Sequence, residues 1–328
     1  MKVSVIMSAY NNQEFVSQAI ESILNQTFAN FEFIIVNDGS SDNTEKIIAQ
    51  YQKRDSRIII INQENNGLTK SLNTAIHNAK GEYVARQDAD DVSYLNRLQE
   101  QINFLENNKD IGFVGCSCEI IDEGGKFLNY FCIKNDPKAN ISKLRKNNIF
   151  CHGSMMFRRT MLEKVSGYRE FFKYAQDYDL YLRLIESTLP GTINKILYRR
   201  RITLESISIQ KIQLQSSYAN LAKKCYETRL SKKDDSFLLN DSILAKSSKS
   251  LPAYDFLLAF MKSLYSIKNN DVITARTLMH SFLLPFRVNK YKLYVLWVLS
   301  FMPSFLRSTI FTIKNNLRKA KIALNFLK

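Results

Sequence analysis

Tyr83-Val-Ala-Arg-Gln-Asp-Ala-Asp-Asp91 decides the fold. Its first three residues form a short β-rich apolar run, which passes straight into three carboxylates, Asp88, Asp90 and Asp91. Upstream the chain repeats one unit. Val3-Ser-Val-Ile-Met7 is almost wholly apolar, as in a strand covered on both faces. A helical stripe of Phe15, Ala19, Ile20, Ile23 and Leu24 follows it. Phe33-Ile-Ile-Val36 is a second buried strand, closed by Asn37-Asp38-Gly39-Ser40-Ser41. Asp42 and Glu45 read as a capping box for the helix bearing Ile47, Ile48 and Tyr51. Ile58-Ile-Ile-Ile61 is a third strand, and Gly67 to Ala79 a helix with Leu68, Leu72, Ala75 and Ile76 inward. After Asp91, the stripe Leu95, Leu98, Ile102 and Leu105 predicts another helix. Strand and helix alternating at this spacing give an α/β fold with a mostly parallel sheet and right-handed crossovers. Ligands of such sheets bind beyond the carboxyl ends of the strands. Here those ends are Ser8 to Asn11, Asn37 to Ser41, Asn62 to Gly67 and Asp88 to Asp91, which are polar, small or acidic.

Downstream, Ile111 to Cys118 predicts a strand, Glu119 to Cys132 a hairpin about Glu123-Gly-Gly125, and His152 to Phe157 a further strand. A helix begins near Asp177 and reaches Ile185. Beyond about Ser208 the pattern is helical, which places a boundary near residue 210 and divides the chain into segments 1–210 and 211–328. The chain carries 46 Lys and Arg against 31 Asp and Glu, a net charge of +15 that points to an anionic partner. Nucleic acid, acidic lipid and a phosphorylated small molecule all satisfy that. The excess concentrates in the tail, because no acid occurs from Val272 to Lys328. The five cysteines lack zinc spacing and read as reduced thiols of a cytoplasmic protein. The first strand is interrupted by polar residues too early for a signal peptide, and no apolar run is long enough to span a bilayer.

Three carboxylates in four residues repel unless a cation or donor groups compensate. A hard divalent ion, Mg²⁺ or Mn²⁺, takes oxygen ligands from one or two carboxylates and substrate phosphates. The competing reading is an acidic turn capping the next helix. Asp38 supplies a carboxylate acceptor for a nucleobase N–H or a ribose hydroxyl, or simply a turn. A lone His152 serves either a site or a structural hydrogen bond.

Taken together, four ordered stretches resemble the successive motifs of family 2 glycosyltransferases. They are Val3 to Asn11, Ile34-Ile-Val-Asn-Asp-Gly-Ser-Ser-Asp-Asn-Thr44, Asn65-Asn-Gly-Leu68 and Lys80 to Asp91. The resemblance covers residues 1 to about 210 and implies an inverting enzyme of the GT-A fold, a Rossmann-like sheet flanked by helices. It implies a nucleotide-sugar donor, UDP-linked by family habit, with Tyr10, Asp38, Arg86 and Asp88 around the nucleoside. Asp90 would take Mg²⁺ or Mn²⁺, with Asp91, His152 and Arg201 on the acceptor or diphosphate side. Asp177 in Ala175-Gln-Asp-Tyr-Asp-Leu-Tyr-Leu-Arg183 matches the family's general base, and Gln176 stands where the family has Glu. A base is needed because an acceptor hydroxyl is a poor nucleophile until its proton leaves. Thr203 stands where the family often has His, which would pass that work to Arg199, Arg200 or Arg201.

Tyr291 to Leu306 mixes aromatics and aliphatics between cationic turns, as in a segment lying in an anionic lipid interface, or in a helical subdomain packed on the rest. The first suits a saccharide or polyprenyl-linked saccharide acceptor at the inner face of a cell membrane. A nucleotidyltransferase would show a Gly-rich, Lys-bearing loop near the first strand, and Ser8-Ala9-Tyr10 has no glycine. A nucleic-acid-binding protein would interleave its basic residues with aromatics on one surface, which this segregated tail fits poorly. An inactive family relative is the remaining alternative, given Gln176 and Thr203.

Overall fold

The computed structural model describes residues 1–203 and 212–240, with the side chains of Ile212 and Gln213 left aside. The order is β1 (Val3–Ala9), α1 (Val16–Leu24), β2 (Phe31–Asp38), α2 (Thr44–Gln52), β3 (Ile58–Gln63), α3 (Leu68–Asn78) and β4 (Tyr83–Arg86). There follow β5 (Val92–Ser93), α4 (Arg97–Asn107), β6 (Ile111–Ile121), β7 (Phe127–Phe131) and α5 (Pro137–Leu144). The last are β8 (Met156–Arg158), α6 (Arg159–Lys164), α7 (Gln176–Leu184), β9 (Leu189–Arg201) and α8 (Ile212–Leu230).

One sheet holds these strands in the order β3-β2-β1-β4-β8-β6-β9-β5, with β7 paired to β6. The first four run parallel, as the alternating pattern requires. β8 is antiparallel to β4 and β6, and β9 is parallel to β6. Successive side chains of a strand face opposite sides, so the apolar runs feed two cores. Val5, Met7, Phe33 and Ile35 join α1 and α4 on one face; Ile6, Ile34, Val36 and Val84 join α3 and α7 on the other. Tyr218, Leu221, Ala222 and Cys225 of α8 enter the second core. The boundary expected near residue 210 falls among residues outside the description, as does the basic tail with its Tyr291–Leu306 segment. Among the described residues no helix is long and apolar enough to cross a membrane.

The structure corrects four local expectations. Leu95 is 58% exposed and precedes α4, which starts at Arg97. Its stripe neighbours Leu98, Ile102 and Leu105 are buried, so the helical period holds without it. Asp42 accepts from the Thr44 N–H two residues on, at 2.9 Å, and from Gln13 N–H, so no capping box forms with Glu45. His152 to Ser154 is a 3₁₀ turn that only afterwards becomes β8, because both the N–H and the hydroxyl of Ser154 return to the Cys151 carbonyl. The helix expected to begin near Asp177 starts one residue earlier, at Gln176, after Ala175 at φ 52°.

Candidate active site

The carboxyl ends of β1, β2 and β4 lie side by side, β1 in the middle, where the strand order reverses direction along the sheet. This is the crevice where open parallel sheets hold ligands. The loops after β1 and β2 are stitched together: Asn11 N–H donates to Ser40 Oγ, Ser41 N–H to Asn11 Oδ1, and Asn12 N–H to Thr44 Oγ1 at 2.8 Å. Tyr10 stands on this rim with 48% of its surface exposed. Asp38 is buried, and its carboxylate accepts from Gln63 Nε2 at 2.7 Å and from the N–H groups of Asn66 and Gly67, both at 2.9 Å. Those bonds pin the β3–α3 turn against β2, so Asp38 shapes the rim as well as lining it. Gly39, at φ 71°, allows the close approach: a Cβ there would lie 2.6 Å from the Asn65 nitrogen.

The acidic triplet after β4 divides into three environments. Asp88 binds Arg86 Nη2 at 2.5 Å, and its N–H donates to the Tyr198 hydroxyl at 3.1 Å. Burial works against its charge, but Arg86, His152 and Arg200 together hold its carboxyl below the usual range. Asp90 has the opposite balance: burial and then Asp88 push it up to about 6. Asp91 is buried and pushed well up by burial, then Asp90 and Asp88, while accepting the Arg201 N–H at 2.7 Å. It therefore ties β9 to this loop, whereas the following helix is entered through Asn96. Full charge on all three carboxylates is disfavoured until a cation arrives. Among the described residues no three His, Cys, Asp or Glu side chains form a ligand set. A Mg²⁺ or Mn²⁺ held through one or two of these acids and completed by phosphate oxygens fits that donor set.

Two arginines expected near the ligand are committed elsewhere. Arg86 is wholly buried; it grips Asp88 and the Gln87 carbonyl, so its guanidinium is spent within the protein. Arg201 is buried, with Nε on the Asp90 carbonyl, Nη1 on the Asp122 and Glu123 carbonyls and Nη2 on Gln18. Its guanidinium also lies over Phe15, 4.5 Å from the ring centre. It is a clamp joining β9, the β6–β7 turn and α1. Arg199 pairs with Glu119 at 2.8 Å. Arg200 acts by its charge on both Asp88 and Asp90, and Arg201 acts on Asp90 as well. Only the place of Arg200 in a triple-arginine strand end hinted at that in the sequence.

In the turn before β8, His152 Nε2 meets the Tyr168 hydroxyl at 2.7 Å. Burial first, and Arg86 second, push the imidazole down to about 4, so it is neutral at physiological pH. The charges of Asp177 and Asp88 both bear on it. Asp177 is half-buried in the first turn of α7 and accepts from Asn148 Nδ2 at 2.7 Å. Gln176 beside it is buried. Arg97, buried beneath the site, donates to the carbonyls of Arg86 and Gly153, both at 2.8 Å, and so ties β4 to the turn before β8.

Gly153 shows how tight the pocket floor is. A Cβ on it would lie 2.1 Å from the Tyr198 hydroxyl and 2.6 Å from Asp88 Oδ2. Gly153→Ala is expected to destabilise the fold by about 1–3 kcal/mol through overpacking, read as a lower urea midpoint. An unchanged midpoint would mean the floor yields freely.

The sequence model described as Glycosyl transferase family 2 matches residues 4–166. An uncharacterized glycosyltransferase of Methanocaldococcus jannaschii is 36% identical over 229 residues, 68% of this chain and 79% of that protein. The chain belongs to glycosyl transferase family 2. This glycosyltransferase is also 38% identical over 205 residues to the putative glycosyltransferase EpsE of Bacillus subtilis, covering 61% of this chain and 73% of EpsE. It is 36% identical over 184 residues to the O-antigen biosynthesis glycosyltransferase WbnJ of Escherichia coli, 56% of this chain and 71% of WbnJ. Among solved structures, residues 1–349 of S. aureus TarS in complex with UDP superpose with a TM-score of 0.57, at 17% identity, over 88% of this chain and 93% of that one. The mannosyltransferase PcManGT of Pyrobaculum calidifontis, in complex with GDP-Man and Mn²⁺, superposes with a TM-score of 0.54 at 17% identity, over 85% of each chain. The shared fold is the expected GT-A architecture.

Proposed function

We propose that this glycosyltransferase transfers a sugar from a UDP-linked donor to an acceptor hydroxyl with inversion at the anomeric carbon. The carrying observation is the gathering of Asp88, Asp90 and Asp91 at the end of β4, Asp88 gripped by Arg86 and Asp91 by the Arg201 N–H, beside the stitched β1 and β2 loops that bear Tyr10 and Asp38. Tyr10 offers an exposed ring for stacking the base, and Asp38 an acceptor for the uracil N–H. Asp88, held by Arg86, accepts from the ribose. Asp90 is the carboxylate that holds Mg²⁺ or Mn²⁺ together with the donor diphosphate. Once bound, the cation neutralises charge building on the departing diphosphate. Arg200 adds a fixed positive charge to the same site. Asp177 takes the acceptor proton during attack from the opposite face, and Gln176 leaves that role to one carboxylate. UDP-bound TarS and Mn²⁺-bound PcManGT support the donor class and the cation, and WbnJ supports a role in surface polysaccharide assembly.

The acceptor class is a saccharide or a polyprenyl-linked saccharide. The acid-free stretch from Val272 to Lys328 suits peripheral attachment to an anionic membrane, where each cation contributes ~1 kcal/mol. A panel of UDP-, GDP- and dTDP-sugars with and without Mn²⁺, read by melting temperature, tests the donor. A UDP-sugar with Mn²⁺ at 100 times its Kd stabilises by about 2.7 kcal/mol, a shift of several degrees. Stabilisation by GDP-sugars alone overturns the uridine assignment, and none by any nucleotide overturns the donor site.

A further inference from the structure

We infer that Asn148 is the positioning residue for the Asp177 carboxylate. The inference rests on Asp177 being the general base. Asn148 lies in the loop after α5, outside the four motifs quoted from the sequence. Its side chain is held at both ends. Oδ1 accepts the Phe150 N–H at 3.1 Å, and Nδ2 donates to Asp177 Oδ2 at 2.7 Å. That pair of contacts fixes the amide's orientation, because a flipped amide would set N–H against N–H and oxygen against carboxylate. The other Asp177 oxygen, Oδ1, accepts the Tyr178 N–H at 2.8 Å. With one oxygen held by the helix backbone and the other by Asn148, the carboxylate plane is set, and the remaining lone pairs are free for an acceptor hydroxyl. A side-chain amide in this place holds the carboxylate without competing for its proton. A second carboxyl would share one proton with it.

Three titratable groups also face Asp177. His152 is pushed down to about 4, while burial pushes the Tyr168 and Tyr181 hydroxyls well up. The two hydroxyls keep their protons throughout the acid range and His152 titrates at about 4, so the imidazole resonances are followed beside the carboxyl and a shift confined to the carboxyl belongs to the 148–177 pair.

The test follows the Asp177 carboxyl by ¹³C NMR against pH, its resonance assigned by loss in Asp177→Asn, in the full chain with and without substitutions at 148. Asn148→Asp is expected to raise the midpoint by about one unit or more, the usual effect of an adjacent like charge. The acid limb of the transfer rate moves upward with it. Asn148→Ala, which deletes only the donor, is expected to raise the midpoint less and to lower kcat about tenfold with KM for donor unchanged. It carries the test alone if Asn148→Asp does not fold. An unmoved midpoint in the variants, or a moved midpoint with unaltered kcat and acid limb, overturns the inference. Full activity of Asp177→Asn instead overturns the base assignment, so the two failures are separable.

Discussion

Asp177→Asn is expected to lower sugar transfer by about 10²–10⁴-fold, the usual contribution of a general base, with the fold intact. The substitution is isosteric, and its carbonyl oxygen can still accept from Asn148 Nδ2, whose bond to Oδ2 is 2.7 Å long. What disappears is the ability to take a proton as the acceptor oxygen attacks. The structural cost is the favourable placement of an anion in the first turn of α7, about 0.3–1 kcal/mol, together with the bond from the Tyr178 N–H, which the new amide nitrogen cannot accept. Donor binding is expected to survive, because Tyr10, Asp38 and the acidic triplet are untouched. The measurement is kcat beside a urea midpoint and a nucleotide-sugar melting shift. Turnover near that of the parent protein, with donor still bound, sinks the assignment.

This division of labour explains what could be read from the chain beforehand. Strands β1 to β4 were legible because each is a short apolar run bounded by polar turns, and burial on both faces of a parallel sheet leaves just that imprint. Their polar ends then located the crevice without any coordinates. The partners β8 and β9 were harder. Met156–Arg158 is too short for a period to register, and Leu189–Arg201 mixes charged and apolar residues because only parts of it lie in the core. Among the site residues, acids at strand ends carried their own signal, whereas the arginines did not. Arg86, Arg199, Arg200 and Arg201 are alike in sequence, and only long-range partners separate a buried clamp from a charge facing the acids. Arg201, for example, is bound to Gln18 and to the β6–β7 turn, at separations no local pattern encodes. Asn148 was invisible for the same reason: its partner lies 29 residues away.

The second large effect concerns Asp90, where activity and stability are expected to move in opposite directions. Asp90→Asn should lower transfer by at least about 10²-fold, the scale of losing one preorganised electrostatic contact to developing charge. It should also remove the Mn²⁺-dependent part of donor stabilisation. Yet without ligands the variant should be the more stable protein at neutral pH. Burial and the neighbouring Asp88 raise Asp90 to about 6, against roughly 4 in an unfolded chain. The folded state therefore holds this proton more tightly than the unfolded state. The associated stability is fully present below pH ~4, declines as pH rises through the window between ~4 and about 6, and is gone above it. Asparagine carries no charge to lose, so the advantage of the variant should grow across that window and level off near pH 7, reaching up to roughly 3 kcal/mol. Urea denaturation of both proteins at pH 4.5 and pH 8 reads this directly. A gap that stays constant with pH would show that Asp90 is not under electrostatic stress. A gap that grows, closes when Mn²⁺ and UDP are added together, and accompanies lost transfer identifies the acid whose strain in the free enzyme is relieved by the cation and diphosphate it holds.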